Sequence, residues 1–147
     1  MKLSVEFLGL YGAADISARS TVEWPPHPDR LYQALVDAAA PADRPALAWI
    51  EAQSPPAVDC AEAVPLQWGR KGKVFVPTNY PTDTLPELRR KQDRQFPMAV
   101  PSGPVRYVWR EEPPAEVFEC IRRAADRVTH LGRSDSLAMM VLEPGVA

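Results

Sequence analysis

Residues 105–142 read VRYVWREEPPAEVFECIRRAADRVTHLGRSDSLAMMVL, and this stretch decides the fold. Its start alternates. Val105, Tyr107 and Trp109 fall on one side of an extended chain and Arg106, Val108 and Arg110 on the other, as in a half-buried strand. Val117, Ile121, Ala124 and Val128 then recur at helical spacing, which predicts a helix beginning at Pro114. Glu119 and Arg123 would pair one turn apart, and Gly132 would cap the helix end. Residues 136–142 are almost wholly apolar, as expected of a strand covered on both faces or central in a sheet.

Outward from this unit, residues 2–9 alternate with Leu3, Val5 and Phe7 on one face, another half-buried strand. Residues 11–26 read as a loop anchored late, at Val22 and Trp24. Pro28 opens a helix, Asp29 suits its positive end, and Leu31, Leu35 and Ala38 or Ala39 form its apolar stripe. A second short helix is expected from Asp43, with Leu47 and Ile50 inward. Residues 55–65 carry a weak edge-strand signal, and KVFVP at 73–77 a stronger one. Residues 85–94 read as a short helix. The order is strand, helix, strand, strand, helix, strand. This predicts an α+β, ferredoxin-like domain over 1–147, an antiparallel sheet of four strands with two helices on one face. RNA-recognition modules offer the open face of such a sheet to single strands.

Composition narrows the function. The 147 residues suffice for one domain with its own core, and 46% apolar with 24% charged residues is an ordinary globular balance. A net charge of −2 excludes a general nucleic-acid binder, so any such contact is local. Cys60 and Cys120 lack ligand spacing and read as reduced thiols of a cytoplasmic protein. The N-terminus reads as a strand and not a signal peptide, and no apolar run approaches the ~20 residues of a membrane span.

The local patch is LRRKQDRQF at 88–96. Arg89, Arg90, Lys91 and Arg94 suit evenly spaced phosphates, and Phe96 could stack on a base. A solvated charge run is the plainer reading. The segment follows the second strand, so residues 78–103 would stand off the sheet as a thumb. Trp68, flanked by Arg70 and Lys71 in LQWGRKGK, reads as a second exposed basic loop. Gly132, Arg133 and Ser134 form a turn that could grip a phosphate through backbone N–H groups and a guanidinium. It could equally be a capped helix entering a strand. His27 with Arg30 and Tyr32, or with His130, would make a metal-independent ribonuclease set, a His beside a ribose 2′-OH and a cation beside the phosphate. Both histidines also suit structural roles at helix ends. No metal-ligand spacing, nucleophile elbow or P-loop is present, and no cofactor is expected.

The segments EWPPHPDRLYQALVDA, VFVPTNYPTD, RRKQDRQFP and AADRVTHLGRSDSLAMMVL together resemble the N-terminal half of a CRISPR-associated protein, the Cas-five/Cas-six fusion subunit of the type I effector of subtype G, formerly U. The resemblance implies a RAMP-superfamily fold with a protruding thumb. It implies a Cas-five-like half that holds the 5′ handle of the CRISPR RNA and caps the Cascade backbone, with the nuclease in a second half beyond Ala147. The partners it implies are CRISPR RNA, the Cascade backbone and large subunits, the processing nuclease domain, and target DNA near the PAM-proximal end. No membrane contact is expected. Three functions compete: a non-catalytic RNA-binding and capping subunit, an endoribonuclease cutting repeat RNA, and a bridging subunit that meets protein alone.

Overall fold

The computed structural model describes residues 1–15, 17, 21–66, 74–77, 91–94 and 97–145, with backbone alone at 74–77 and 91–94. The elements run β1 (Lys2–Phe7), β2 (Tyr11–Gly12), α1 (Pro28–Ala38), a 3-10 turn (Arg44–Leu47), α2 (Ala48–Glu51), β3 (Ala57–Cys60), β4 (Ala63–Pro65), β5 (Val74–Pro77), β6 (Lys91–Arg94), β7 (Met98–Pro101), β8 (Val105–Val108), α3 (Ala115–Arg127) and β9 (Ala138–Glu143).

The main sheet has the order β3-β8-β1-β9 with every neighbour antiparallel. Register makes one face apolar: Leu3 lies opposite Tyr107 and Leu142, and Val5 opposite Val105 and Met140. Leu31 and Leu35 of α1 and Ile121, Ala124 and Ala125 of α3 close over that face in one buried cluster. This is the ferredoxin-like arrangement expected from the alternating and helical spacings.

Several details differ from expectation. The second strand of the sheet is β3, from the weakly signalled segment 55–65. The stronger KVFVP strand, β5, pairs instead with β6 in a separate antiparallel hairpin. Lys91–Arg94 is therefore strand and not helix, while residues 85–90 lie outside the described residues. β9 is neither central nor doubly covered. It is an edge strand that buries Ala138, Met140 and Leu142 and exposes Met139, Val141 and Glu143. The helix from Asp43 is a 3-10 turn with a single α-helical turn after it. α3 ends at Arg127, so Gly132 does not cap it. Glu119 pairs with Arg122, because Arg123 reaches across to Asp43 at 2.6 and 3.2 Å.

A second, three-stranded sheet has the order β2-β7-β4. Met98–Pro101, near the C-terminal end of the segment expected to protrude, is thus paired into this sheet. Phe7, Tyr11 and Trp24 pack as three tilted rings with centroids 5.1 to 6.0 Å apart, fastening β2 to the end of β1. Trp24–Pro25 is a cis peptide, and the Tyr107 hydroxyl donates to the Pro26 carbonyl at 2.7 Å within the core. The prolines before α1 are in this way tied to the central strand β8.

Tyr107→Phe should leave the Pro26 carbonyl unpaired and cost about 1–3 kcal/mol in urea denaturation. Acid sensitivity should trace to Asp43. The hydrogen bond from Arg123 holds its carboxyl below the usual carboxylate range, so its contribution is complete above the unfolded value. That contribution is lost as pH falls through the lowered native value. The thermal midpoint should drop below about pH 4, and Asp43→Asn should flatten that part of the profile.

Candidate functional site

Four places could carry function, and their chemistry separates them. The first is the turn after α3. Val128 leaves the helix in extended conformation, and Gly132 adopts φ 86°. A Cβ there would lie 2.6 Å from the Gly12 carbonyl oxygen and 2.9 Å from the Tyr11 ring, so the close approach requires glycine. The backbone N–H of Arg133 donates to the Gly12 carbonyl at 2.9 Å, and the Gly12 N–H donates to the buried Ser136 Oγ at 2.9 Å. Ser136 N–H donates back to the Arg133 carbonyl, and Leu131 N–H to the Ser136 carbonyl. The turn is locked while Gly132 and Ser134 stay exposed. The Arg133 guanidinium lies 3.3 Å from Asp135.

Gly12 has a further role. A Cβ on it would come within 3.1 Å of Arg133 Cδ and 3.3 Å of Met98 Cε. Gly12 is opposite Met98 in the β2–β7 pairing, and Met98 follows the basic hairpin by four residues. Met98, two residues beyond the LRRKQDRQF stretch, and the Arg133 turn, far apart in sequence, therefore meet at one bare α-carbon. Arg89, Arg90, Phe96, Trp68, Arg70 and Lys71 lie outside the described residues. Of Lys91 and Arg94 the structure describes the backbone, in β6.

The second place is a cleft of about 370 Å³ at the start of α1, where His27 and Tyr32 lie together. His27 is the N-cap. Its Nδ1 accepts the Asp29 backbone N–H at 3.3 Å, which is the structural role expected at a helix start. Tyr32 donates to Glu51, and its hydroxyl is pushed up to about 12 by burial first and then by that hydrogen bond. Arg30 is not part of this set. Its Nε binds Glu23 and its NH2 donates to the Ala14 carbonyl at 3.1 Å. Among the described residues no Lys or Arg lines the cleft, whereas Asp29 and Glu51 do. A scissile phosphate would meet two carboxylates and no cation, so the ribonuclease set is not assembled here. His130 lines a different hollow, with Asp29, Arg30, Asp37 and Gly132.

The third place is the open face of the main sheet. It carries Lys2, Arg106, Asp59 and Glu143, paired as Lys2–Glu143 at 2.8 Å and Arg106–Asp59 at 3.2 Å. Val108, Met139 and Val141 are exposed between them. No aromatic ring stands among the outward residues of these strands, so the base-stacking platform of RNA-recognition modules is lacking. The fourth is a carboxylate that sequence reasoning missed. Glu23, only 9% exposed, accepts from the Tyr11 hydroxyl, the His27 backbone N–H and Arg30. Arg30 one helical turn inside the WPPHPDR motif, with an acid just before that motif, is the signal that could have found it.

The family model of the CRISPR-associated protein, GSU0054 family, matches residues 1–146. The chain belongs to this family. A comparison with curated proteins matches none of them. Membership in the CRISPR-associated family gives the chain a role in a CRISPR system. Among the described residues, no group of three or more His, Cys, Asp or Glu could hold a metal ion, and no helix is long and apolar enough to cross a membrane. The WPPHPDR motif acquires a structural meaning: cis proline, N-cap histidine and an arginine tied to a buried acid. Gly132→Ala should force a Cβ against the Gly12 carbonyl in a strained conformation and cost about 1–3 kcal/mol. Urea denaturation checks this, and wild-type stability would show that the turn is free to move away.

Proposed function

We propose that this CRISPR-associated chain is a non-catalytic RNA-binding subunit of a type I Cascade complex, of subtype G, that holds the 5′ handle of the CRISPR RNA and caps the backbone filament. The observation that supports the reading is the meeting at Gly12 of the Arg133 turn and Met98, the start of the strand that follows the basic segment in sequence. In this reading the basic segment before Met98 and the Arg133 side chain address consecutive phosphates of a single strand.

In this reading Arg89, Arg90, Lys91 and Arg94 hold backbone phosphates, with Phe96 stacking on a base. Arg70 and Lys71 extend the basic track. Arg133 exchanges Asp135 for a phosphate, and Ser134 contacts the handle beside it. The hairpin acts as the thumb of a Cas-five-like domain of the RAMP superfamily. The Cascade backbone and large subunits, the processing nuclease domain and target DNA near the PAM-proximal end are its partners in the assembly. The acid-lined cleft at His27 and Tyr32 supports binding over cleavage, because among the described residues neither side chain has a cation beside it to hold a phosphate.

Reversing Arg89, Arg90 and Lys91 to Glu should strip guide RNA from the purified complex. It should lower the slope of log K against log salt by about 2, as expected on losing three single-strand phosphate contacts. Unchanged RNA content and slope would remove the proposal. Labelled repeat RNA incubated with the chain in EDTA should stay intact. A specific cut abolished by His27→Ala would replace this reading with the endoribonuclease one.

A further inference from the structure

We infer that the cleft at the start of α1 docks a protein segment that presents an apolar side chain next to an arginine or lysine. This stands independently of the RNA reading. The floor is apolar and fixed: Leu31 and Leu35 are 1% exposed and Trp109 5% exposed, all within the main core. One wall is Pro55 and Pro56, whose rings leave little backbone freedom to lose on binding. The volume of about 370 Å³ is in the range of sites that bury a ligand group.

The rim selects the occupant. Asp29 is 87% exposed at its side chain and Glu51 is exposed, and both face the cleft. Among the described lining residues no Lys or Arg opposes them. Tyr32 holds the Glu51 carboxylate in place, so one acid of the rim is preorganised. An anionic ligand would pay desolvation and repulsion here, which excludes a nucleotide phosphate. A cation beside an apolar anchor gains an ion pair at the rim and burial at the floor. A second hollow of about 510 Å³ shares Pro55, Pro56 and Trp109 with the first and adds Arg110 and Glu111. Two hollows that share residues 53–56 as lining suit an extended segment better than a compact small molecule.

The test titrates the full ¹⁵N-labelled chain with N-acetyl-Phe-Arg-amide and, separately, with N-acetyl-Phe-Glu-amide and uridine 5′-monophosphate. Saturable amide shifts are expected at residues 31–35 and 50–53 with the Phe-Arg probe. In the Asp29→Asn/Glu51→Gln double variant that affinity should weaken about fivefold, the effect of removing two exposed ion pairs. The same spectra report whether the variant is folded, and Glu51→Gln keeps an acceptor for Tyr32. Should the Phe-Arg probe leave those amides unmoved, the inference is wrong. It is equally overturned if the Phe-Glu probe binds as well, or if uridine monophosphate shifts those amides more strongly. None of these results depends on guide RNA, so failure here leaves the RNA-binding reading to its own experiment.

Discussion

The close backbone approach between Gly12 and Gly132 organises this chain. Gly12 uses its N–H for the buried Ser136 hydroxyl and its carbonyl for the Arg133 N–H, so β2 is gripped by the turn while its other edge pairs with β7. Each such hydrogen bond is worth about 0.5–1.5 kcal/mol net, and leaving its buried partners unpaired costs more. Gly132 cannot be larger without displacing the Gly12 backbone, while a Cβ on Gly12 would press only on the Arg133 and Met98 side chains. Through this contact the α3–β9 connection and the small sheet share one reference point. A phosphate-binding surface assembled from separate segments needs such a fixed point, because a misplacement of about 1 Å already weakens oriented contacts.

Electrostatics then sorts the surfaces. Five cations of the domain body pair with its own acids: Lys2 with Glu143, Arg30 with Glu23, Arg106 with Asp59, Arg122 with Glu119 and Arg123 with Asp43. Charges so paired project little field beyond the Debye length of about 8 Å at physiological salt. An overall charge of −2 is therefore compatible with a local basic site, provided that site is built apart from the paired body. The segment at 88–96 meets that condition by sequence, since its four cations have one acid, Asp93, among them.

Much of the architecture was legible in the sequence because its signals are local. Alternation located β1 and β8, and apolar spacing located α1 and α3. What failed depended on partners far away in the chain. KVFVP has strong β character, yet β5 pairs with the charged KQDR, and neither propensity nor pattern reveals a partner. The weaker AVDC took the edge position beside β8, where half-burial suffices. β9 looked fully covered because its outward residues, Met139 and Val141, are apolar too, although both are exposed. Glu119 lost its expected partner because Asp43, a long way off in sequence, claims Arg123. The turn was legible in its residue types, with Gly132 and Arg133 both singled out, though its role in binding is a proposal. Its geometry was not, since nothing in the stretch around Tyr11 announces that Gly12 receives that turn.

The exposed apolar residues of the open sheet face and the acid-rimmed cleft now take on a common meaning. Val108, Met139 and Val141 lie between neutralised ion pairs, and Leu31, Leu35 and Trp109 lie under Asp29 and Glu51. Among the described residues neither surface offers an unpaired cation beside it, and both offer apolar area with satisfied or acidic charge around it. Such surfaces suit protein neighbours, in which an apolar centre supplies the binding energy and charges at the rim supply selectivity. The domain thus divides its labour physically. In the proposed function, the cations of the 88–96 segment would address an anionic strand, and the remaining apolar surface would address protein neighbours.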